Sequence, residues 1–246
     1  MTRVPTRPPG RPEIACPGIL GMVSIQPSGQ FPPARPSTDD DGSLASPLGR
    51  AASLMVAFLA VLWVIELVNA ATGRELAQLG GIRPRDWSSL VDILTSPFLH
   101  GNIEHLAGNA VALFSLGFIA AVPNLKKFLL MTGIVIIIGG LGVWLFSPSN
   151  TVSIGASGVV FGYFGYLLLR GFVDRRPVDV VVSIGIGLAY AYPMWHSIGF
   201  GVTNISWQGH LSGLVGGMLA AILLRQSRPK AKPATTDPLP TLPSVE

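Results

Sequence analysis

Long apolar stretches separated by short polar segments make up most of the chain between residues 50 and 225. Several of these stretches approach or exceed the about 20 residues that an α-helix needs to cross a bilayer. The pattern therefore predicts an all-α, polytopic membrane protein built as a bundle of six transmembrane helices. The predicted spans are residues 52–71, 103–122, 126–146, 157–171, 178–196 and 207–225.

The segments outside the spans differ from them in composition. Residues 1–49 and 226–246 are rich in proline and lack apolar periodicity, so both are predicted to be disordered tails of a membrane domain at 50–225. The connection 73–101, called the first loop below, mixes polar and apolar residues. This mixture predicts an interfacial loop with short helices.

Composition narrows the class of protein. The chain is 49% hydrophobic and 12% charged, whereas about a quarter of the residues of a soluble domain are charged. The net charge is +4, but the basic residues lie in tails and short loops beside apolar stretches, so no nucleic-acid partner is expected. The single cysteine, Cys16, excludes an intrachain disulfide. Translation can start at Met1 or at Met22.

Lysine and arginine are unevenly divided between the two sides of the predicted bundle. Of those near the ends of the spans, ten lie on the side of the termini, and three, Arg74, Arg83 and Arg85, lie on the other side. The positive-inside rule therefore predicts cytoplasmic termini and an extracytoplasmic first loop. The ten are Arg50, Lys126, Lys127, Arg170, Arg175, Arg176, Arg225, Arg228, Lys230 and Lys232.

Three predicted spans begin on the extracytoplasmic side with polar side chains. The second carries His105 and Asn109, the fourth begins at Ser157, and the sixth carries His210 near its start. Because these groups lie on the same side and at similar depth, we expect them to face one another.

The fourth span is short. If Arg170 marks its inner end, the 14 residues from Ser157 cover only about 21 Å of a core about 30 Å thick. Residues 147–156 then dip into the bilayer, where irregular backbone is tolerated only beside protein or water. We therefore expect Ser157 to lie in a sunken, wet cavity.

Ser157 and His210 have the chemistry of a nucleophile and its base. A serine hydroxyl is a poor nucleophile until a base takes its proton, and burial helps to keep an imidazole neutral for that task. Gly158 on the fourth span, with Gly213 and Gly217 on the sixth, allows the two helices to approach closely. Since no acid lies in a motif at an outer span end, we predict a dyad rather than a triad.

His105 and Asn109 are one helical turn apart, so they share a face. Together with the backbone N–H of Ser157, they can donate hydrogen bonds to an oxyanion. Alone, a serine among glycines is more typical of helix packing; the whole set favours catalysis. His100 is more typical of a loop hydrogen bond, and Glu66 is expected near the outer interface or bonded within the first loop.

These motifs, in this order and on these spans, resemble those of the rhomboid family of intramembrane serine proteases over nearly all of residues 52–225. The chain departs from the family at two places. Phe161 stands where many members have a tyrosine that stacks on the histidine, and Val91-Asp92 stands where members commonly have Trp-Arg. The matching motifs are His100, His105-Leu106-Ala107-Gly108-Asn109, Gly155-Ala156-Ser157-Gly158, and His210 with Gly213 and Gly217.

The resemblance implies an endopeptidase that needs no cofactor or metal. Ser157 is then the nucleophile, and His210 is first the base and later the acid for the leaving amine. The implied substrates are transmembrane helices of other proteins, admitted past span five and the loop 197–206. The implied setting is the lipid bilayer of a prokaryotic plasma membrane, with the site facing the extracytoplasmic side.

Other functions fit the sequence less well. The spacing between His100, Glu104 and His105 is one residue too long for an inverted zinc-protease motif. A transporter is expected to carry ionisable groups along the whole bilayer depth, whereas these cluster on one side. The main alternative is a catalytically silent rhomboid-like protein that binds membrane clients, but such relatives typically lose the serine or the histidine.

Overall fold

The computed structural model describes residues 46–201 and 205–225. Cys16, the alternative start sites and all but the last four residues of the predicted N-terminal tail lie outside these ranges, as does the predicted C-terminal tail. Within the ranges the chain forms short 3₁₀ helices at Trp87–Leu90 and Ser96–Phe98 and one isolated bridge between Ile82 and Ser153. The α-helices are α1 (Pro47–Ala71), α2 (Glu75–Leu79), α3 (Asp92–Thr95), α4 (Ile103–Ala121), α5 (Leu125–Phe146), α6 (Ser157–Asp174), α7 (Pro177–Ser197) and α8 (Trp207–Leu223).

Four of the helices in the described residues, α1, α4, α5 and α7, are long and apolar enough to cross a membrane. The structure is therefore that of a polytopic helical membrane protein. The other two predicted spans, α6 and α8, do not reach the same standard of length and hydropathy in the described residues. They have 18 and 17 residues, fewer than any of the other four, and α6 contains the charged residues Arg170 and Asp174.

The first helix begins earlier than predicted. The Ser46 hydroxyl accepts the Gly49 N–H at 2.9 Å, and Pro47 occupies the first turn, where its missing N–H costs nothing. Residues 47–49, which the sequence analysis assigned to the tail, therefore belong to α1, because the cap and the proline start the helix before the apolar stretch.

Helix α6 lies at the centre of the bundle and packs against α4, α5, α7 and α8. Its contact with α8 is the closest: a Cβ at Gly213 would collide with the Gly158 carbonyl, and one at Gly217 would collide with the Gly162 carbonyl. Glycine at these positions lets the two backbones touch. The N-terminal ends of α6 and α8 are consequently neighbours.

Arg170 does not mark the end of its helix. It is buried, and its guanidinium pairs with Asp174 at 3.3 Å and with Asp179 on α7 at 3.2 Å. These carboxylates compensate the charge, so α6 continues to Asp174 and is about 27 Å long at 1.5 Å per residue. The short length on which the predicted dip of residues 147–156 rested therefore does not apply to this helix.

The first loop contains the predicted short helices and is fastened to the end of α5. Arg85 donates hydrogen bonds to the carbonyls of Leu145 and Ser147 at 3.0 and 2.7 Å, and the Trp144 indole N–H donates to the Asp86 carbonyl at 2.9 Å. These bonds satisfy carbonyls that the last turn of a helix leaves free. The loop and the connection 147–156 are thereby held together.

The position where family members commonly have Trp-Arg is occupied differently. Asp92 accepts from Arg83 at 3.4 Å, and Arg83 also pairs with Asp86 at 3.0 Å. The sequence did not identify a partner for Glu66. In the structure Glu66 pairs with Arg74 of the first loop at 2.7 Å. The expectation that Glu66 bonds within this loop is confirmed.

Candidate active site

Ser157 is the first residue of α6 and follows a turn that requires glycine. Gly155 has a φ of +118°, and a Cβ there would collide with the ring of His105. Its N–H donates to the Ser96 carbonyl at 2.9 Å, which fixes the turn against the first loop. Within the described chain, the N–H groups of Ser157 and Gly158 donate no hydrogen bond, as expected at the start of a helix.

The hydroxyl oxygen of Ser157 lies 2.8 Å from Nε2 of His210 on α8. On the other side of the imidazole, Nδ1 lies 3.2 Å from the carbonyl oxygen of Ile198. A carbonyl can only accept, so Nδ1 carries the proton and Nε2 is left as the acceptor for the serine hydroxyl. This is the tautomer that a general base requires.

Phe161 stacks on the imidazole of His210, with ring centroids 4.4 Å apart and planes within 10°. The phenyl ring therefore occupies the stacking position even though it lacks the tyrosine hydroxyl. His210 is buried, and the stacked ring and the Ile198 carbonyl together restrict its orientation. The sequence did not identify Ile198, because a backbone carbonyl has no residue-type signature.

His105 and Asn109 of α4 line the same cavity as Ser157 and His210, a cavity of about 1170 Å³. The Nδ2 atom of Asn109 is buried and has no hydrogen-bond partner among the described residues. An unsatisfied buried donor is costly unless a ligand or water completes it. Asn102, which the sequence reading missed, caps α4 by accepting the His105 N–H at 2.7 Å.

His100 lies behind the turn rather than in the cavity. Its ring is fully buried, Nε2 accepts the Ala156 N–H at 3.3 Å, and the ring centroid is 5.2 Å from that of His105. Burial, with a smaller contribution from His105, lowers the pKa of His100 to about 4. The ring is therefore a neutral acceptor near pH 7, in keeping with a structural hydrogen bond.

The remaining predicted residues are not among those that line this cavity. Gly158, Gly213 and Gly217 serve the α6–α8 contact, as described above. In the loop before α8, Phe200 packs on Trp207 with centroids 5.3 Å apart, while residues 202–204 lie outside the described chain.

No group of three or more histidine, cysteine, aspartate or glutamate side chains that could hold a metal occurs in residues 46–201 and 205–225. Glu104, which neighbours His105 in the sequence, is exposed. The cavity contains Ser157, His210 and the Asn109 side chain, whose Nδ2 has no hydrogen-bond partner in the described residues.

Comparison with known proteins points to the same family that the sequence motifs resemble. A family model described as "Rhomboid domain" matches residues 87–227. An uncharacterised protein of Mycobacterium tuberculosis is 36% identical over 189 residues, which cover 72% of this chain and 77% of that protein. Two similar proteins of Bacillus subtilis carry protease names. "Putative rhomboid protease YdcA" is 30% identical over 72% of this chain and 89% of its own length, and "Rhomboid protease GluP" is 37% identical over 54% and 25%.

Proposed function

The chain belongs to the rhomboid family, and from this premise we propose that it is an intramembrane serine endopeptidase that uses Ser157 and His210 as a dyad. One observation carries the proposal. The Ser157 hydroxyl lies 2.8 Å from the acceptor nitrogen of His210 in a cavity that also contains the unpaired donor of Asn109. This combination of nucleophile, base and donors is what acyl transfer needs.

In the first step, His210 Nε2 takes the proton of Ser157 as the serine oxygen attacks the carbonyl carbon of the scissile peptide bond. A tetrahedral intermediate with a negatively charged oxygen forms. The Ile198 carbonyl keeps the imidazole oriented throughout, and Phe161 supports its face. His210 then returns the proton to the leaving amine nitrogen, the C–N bond breaks, and an ester to Ser157 remains.

The developing oxyanion needs hydrogen-bond donors that are already in place. Asn109 Nδ2, a ring N–H of His105 and the backbone N–H of Ser157 are the proposed donors. Each is at the cavity or next to it, and the donors of Asn109 and Ser157 have no competing partner in the described chain. Little rearrangement is then required when the charge appears.

In the second step, water hydrolyses the ester. His210 takes a proton from a water molecule as that water attacks the acyl carbon, and the proton passes to the serine oxygen as the ester bond breaks. The water enters through the cavity, which is open and large enough for solvent as well as a peptide segment. No cofactor enters either step.

We place this chemistry in a six-span bundle of α1 and α4–α8, with cytoplasmic termini and the cavity on the extracytoplasmic side of a prokaryotic plasma membrane. The distribution of lysine and arginine supports this orientation. The short helix α6 sits inside the bundle, where reduced hydropathy costs less than beside lipid, and α8 packs on α5 and α6 with an exposed apolar face that includes Val215 and Ile222. The proposed substrates are transmembrane helices of other proteins, reached from the bilayer.

The test is cleavage of a transmembrane reporter by purified protein in liposomes. Ser157→Ala and His210→Ala should each abolish product, because one lacks the nucleophile and the other lacks the base. Ser153→Ala is the matched control: this serine also lines the cavity, but its bridge to Ile82 uses only the backbone. It should retain wild-type cleavage.

The opposite result is equally informative. If Ser157→Ala still yields product at the wild-type rate, the dyad is wrong. If the wild-type protein binds the reporter but never cuts it, the alternative of a catalytically silent client-binding protein is favoured.

A further inference from the structure

An ion pair with one fully buried member lies near the C-terminal end of α1, beside the first loop. Glu66 of α1 is fully buried, and its partner Arg74 keeps 34% of its side chain exposed. Buried ion pairs contribute little net stability relative to apolar side chains of similar size. An ionisable group in a membrane bundle therefore calls for a functional explanation.

The ion pair also touches the segment that precedes α4. The carbonyl oxygen of His100 accepts the Asn69 amide at 3.1 Å and the Arg74 guanidinium at 3.4 Å. Asn69, itself fully buried, lies 3.5 Å from the Glu66 carboxylate and accepts the Ala77 N–H at 3.1 Å. One nitrogen of Arg74 thus faces both Glu66 and His100.

Arg74 reaches these partners from an unfavourable backbone conformation. Its φ is +70°, in the left-handed region that is unfavourable for a residue other than glycine. Its N–H donates to the Asn69 carbonyl at 2.7 Å, which folds the chain back over the end of α1. The strained conformation is therefore held by the same contacts that bring the guanidinium to Glu66.

The ring of His100 extends the contacts to the turn before the nucleophile. Its Nε2 accepts the N–H of Ala156, the residue immediately before Ser157. The neighbouring N–H, that of Gly155, is held by the Ser96 carbonyl. The orientation of the peptide groups leading to Ser157 thus depends on where the His100 ring is fixed.

We propose that Glu66, Asn69 and Arg74 are positioning residues that hold His100, and through it the Ala156 peptide, so that Ser157 and its N–H are correctly oriented. This inference rests on the proposed protease function. None of the three residues lines the site cavity. They act from α1 and the first loop, through the His100 carbonyl, whereas the turn is bound by the His100 ring.

The test separates positioning from general stability. Glu66→Gln removes the charge that holds Arg74 but leaves the cavity intact. We expect kcat for the transmembrane reporter to fall about tenfold, since small misplacement of catalytic groups is costly, with KM nearly unchanged. Labelling of Ser157 by a small fluorophosphonate should slow in parallel, because this reaction needs the same serine and turn but no substrate helix.

The acceptor role of His100 allows a rescue experiment. The side-chain oxygen of His100→Gln can take the place of Nε2 and accept from Ala156, so this variant should keep most of the wild-type kcat. His100→Leu cannot accept and should lose it. The double variant Glu66→Gln, His100→Leu should be no slower than His100→Leu alone, since residues acting through one contact are not additive.

Asp92→Asn is the matched control, because it weakens another ion pair of the first loop, to Arg83, without touching His100. It should leave kcat unchanged even where it lowers the melting temperature. Equal loss of kcat in this control, or multiplicative effects in the double variant, would overturn the inference.

If Glu66→Gln does not fold, Arg74→Gln, at a half-exposed position, replaces it with the same expectations. Wild-type kcat in a folded Glu66 or Arg74 variant, together with an inactive Ser157→Ala, would remove this inference and leave the protease proposal standing.

Discussion

A backbone carbonyl, where many serine hydrolases use a carboxylate, orients the imidazole of His210. The Ile198 carbonyl fixes the tautomer by accepting the Nδ1 proton at 3.2 Å, but it carries no full charge with which to stabilise an imidazolium. In the proposed mechanism, stabilisation of the transition state therefore depends more heavily on the donors that face the oxyanion.

Substitution of Asn109 measures how far the transition state depends on the donors that face the oxyanion. Asn109→Ala removes the buried, unpaired Nδ2, and kcat should fall about 10²-fold or more while KM changes little, because the bond forms mainly in the transition state. Steady-state cleavage of the reporter over a range of substrate concentrations gives both constants. Asn150→Ala is the control, since Asn150 lines the same cavity but is exposed. An equal effect of the two substitutions would exclude the oxyanion role.

The sequence could identify the site groups that are side chains but not those that belong to the backbone. Ser157, His210, His105 and Asn109 stood out because hydroxyl, imidazole and amide side chains are rare at the starts of apolar stretches, and the structure brings them to one cavity. The Ile198 carbonyl and the Ala156 N–H did not stand out, because every residue but proline carries both groups. Their roles emerge only when the chain is folded.

The contact between α6 and α8 sets the distance between serine and histidine. The Gly213 and Gly217 backbones lie against the carbonyls of Gly158 and Gly162, so no side chain separates the helices. The glycine spacing predicted this close approach. The length of α6 was not predicted, because the partner that neutralises Arg170 from outside its helix, Asp179, lies on α7.

Gly217→Ala tests the helix contact. The new methyl group would meet the Gly162 backbone, which cannot rotate away, so α8 must shift from α6. Overpacking of this kind costs about 1–3 kcal/mol, and the shift should also lengthen the Ser157–His210 contact. We expect a lower melting temperature and slower cleavage.

Gly133→Ala on α5 is the matched substitution, because a Cβ there meets nothing within 4 Å. It should be neutral or stabilising, since alanine is the better helix former. If Gly217→Ala melts and cleaves like Gly133→Ala, the backbone contact does not set the site geometry.

For the molecule as a whole, the three arginines of the first loop have identifiable structural tasks. Arg74 pairs with Glu66, Arg83 with Asp86 and Asp92, and Arg85 caps the carbonyl end of α5. Their location on the minority side of the bundle is thus explained by the contacts they make. The cations flanking the opposite ends of the helices include exposed residues such as Lys126 and Arg176, as expected for topology determinants.

This division of charge predicts which surfaces a membrane-impermeant maleimide can reach. In a Cys16→Ser background, Asn150→Cys, between α5 and α6, should be labelled in intact spheroplasts. Pro123→Cys, between α4 and α5, should be labelled only after permeabilisation. Both positions are exposed and carry no charge, so neither change disturbs the lysine and arginine distribution. Retained reporter cleavage establishes that each variant is folded. Labelling of Pro123→Cys in intact spheroplasts would contradict the orientation and, with it, the extracytoplasmic position of the cavity, because both positions are fixed by the same alternation of helices across the bilayer.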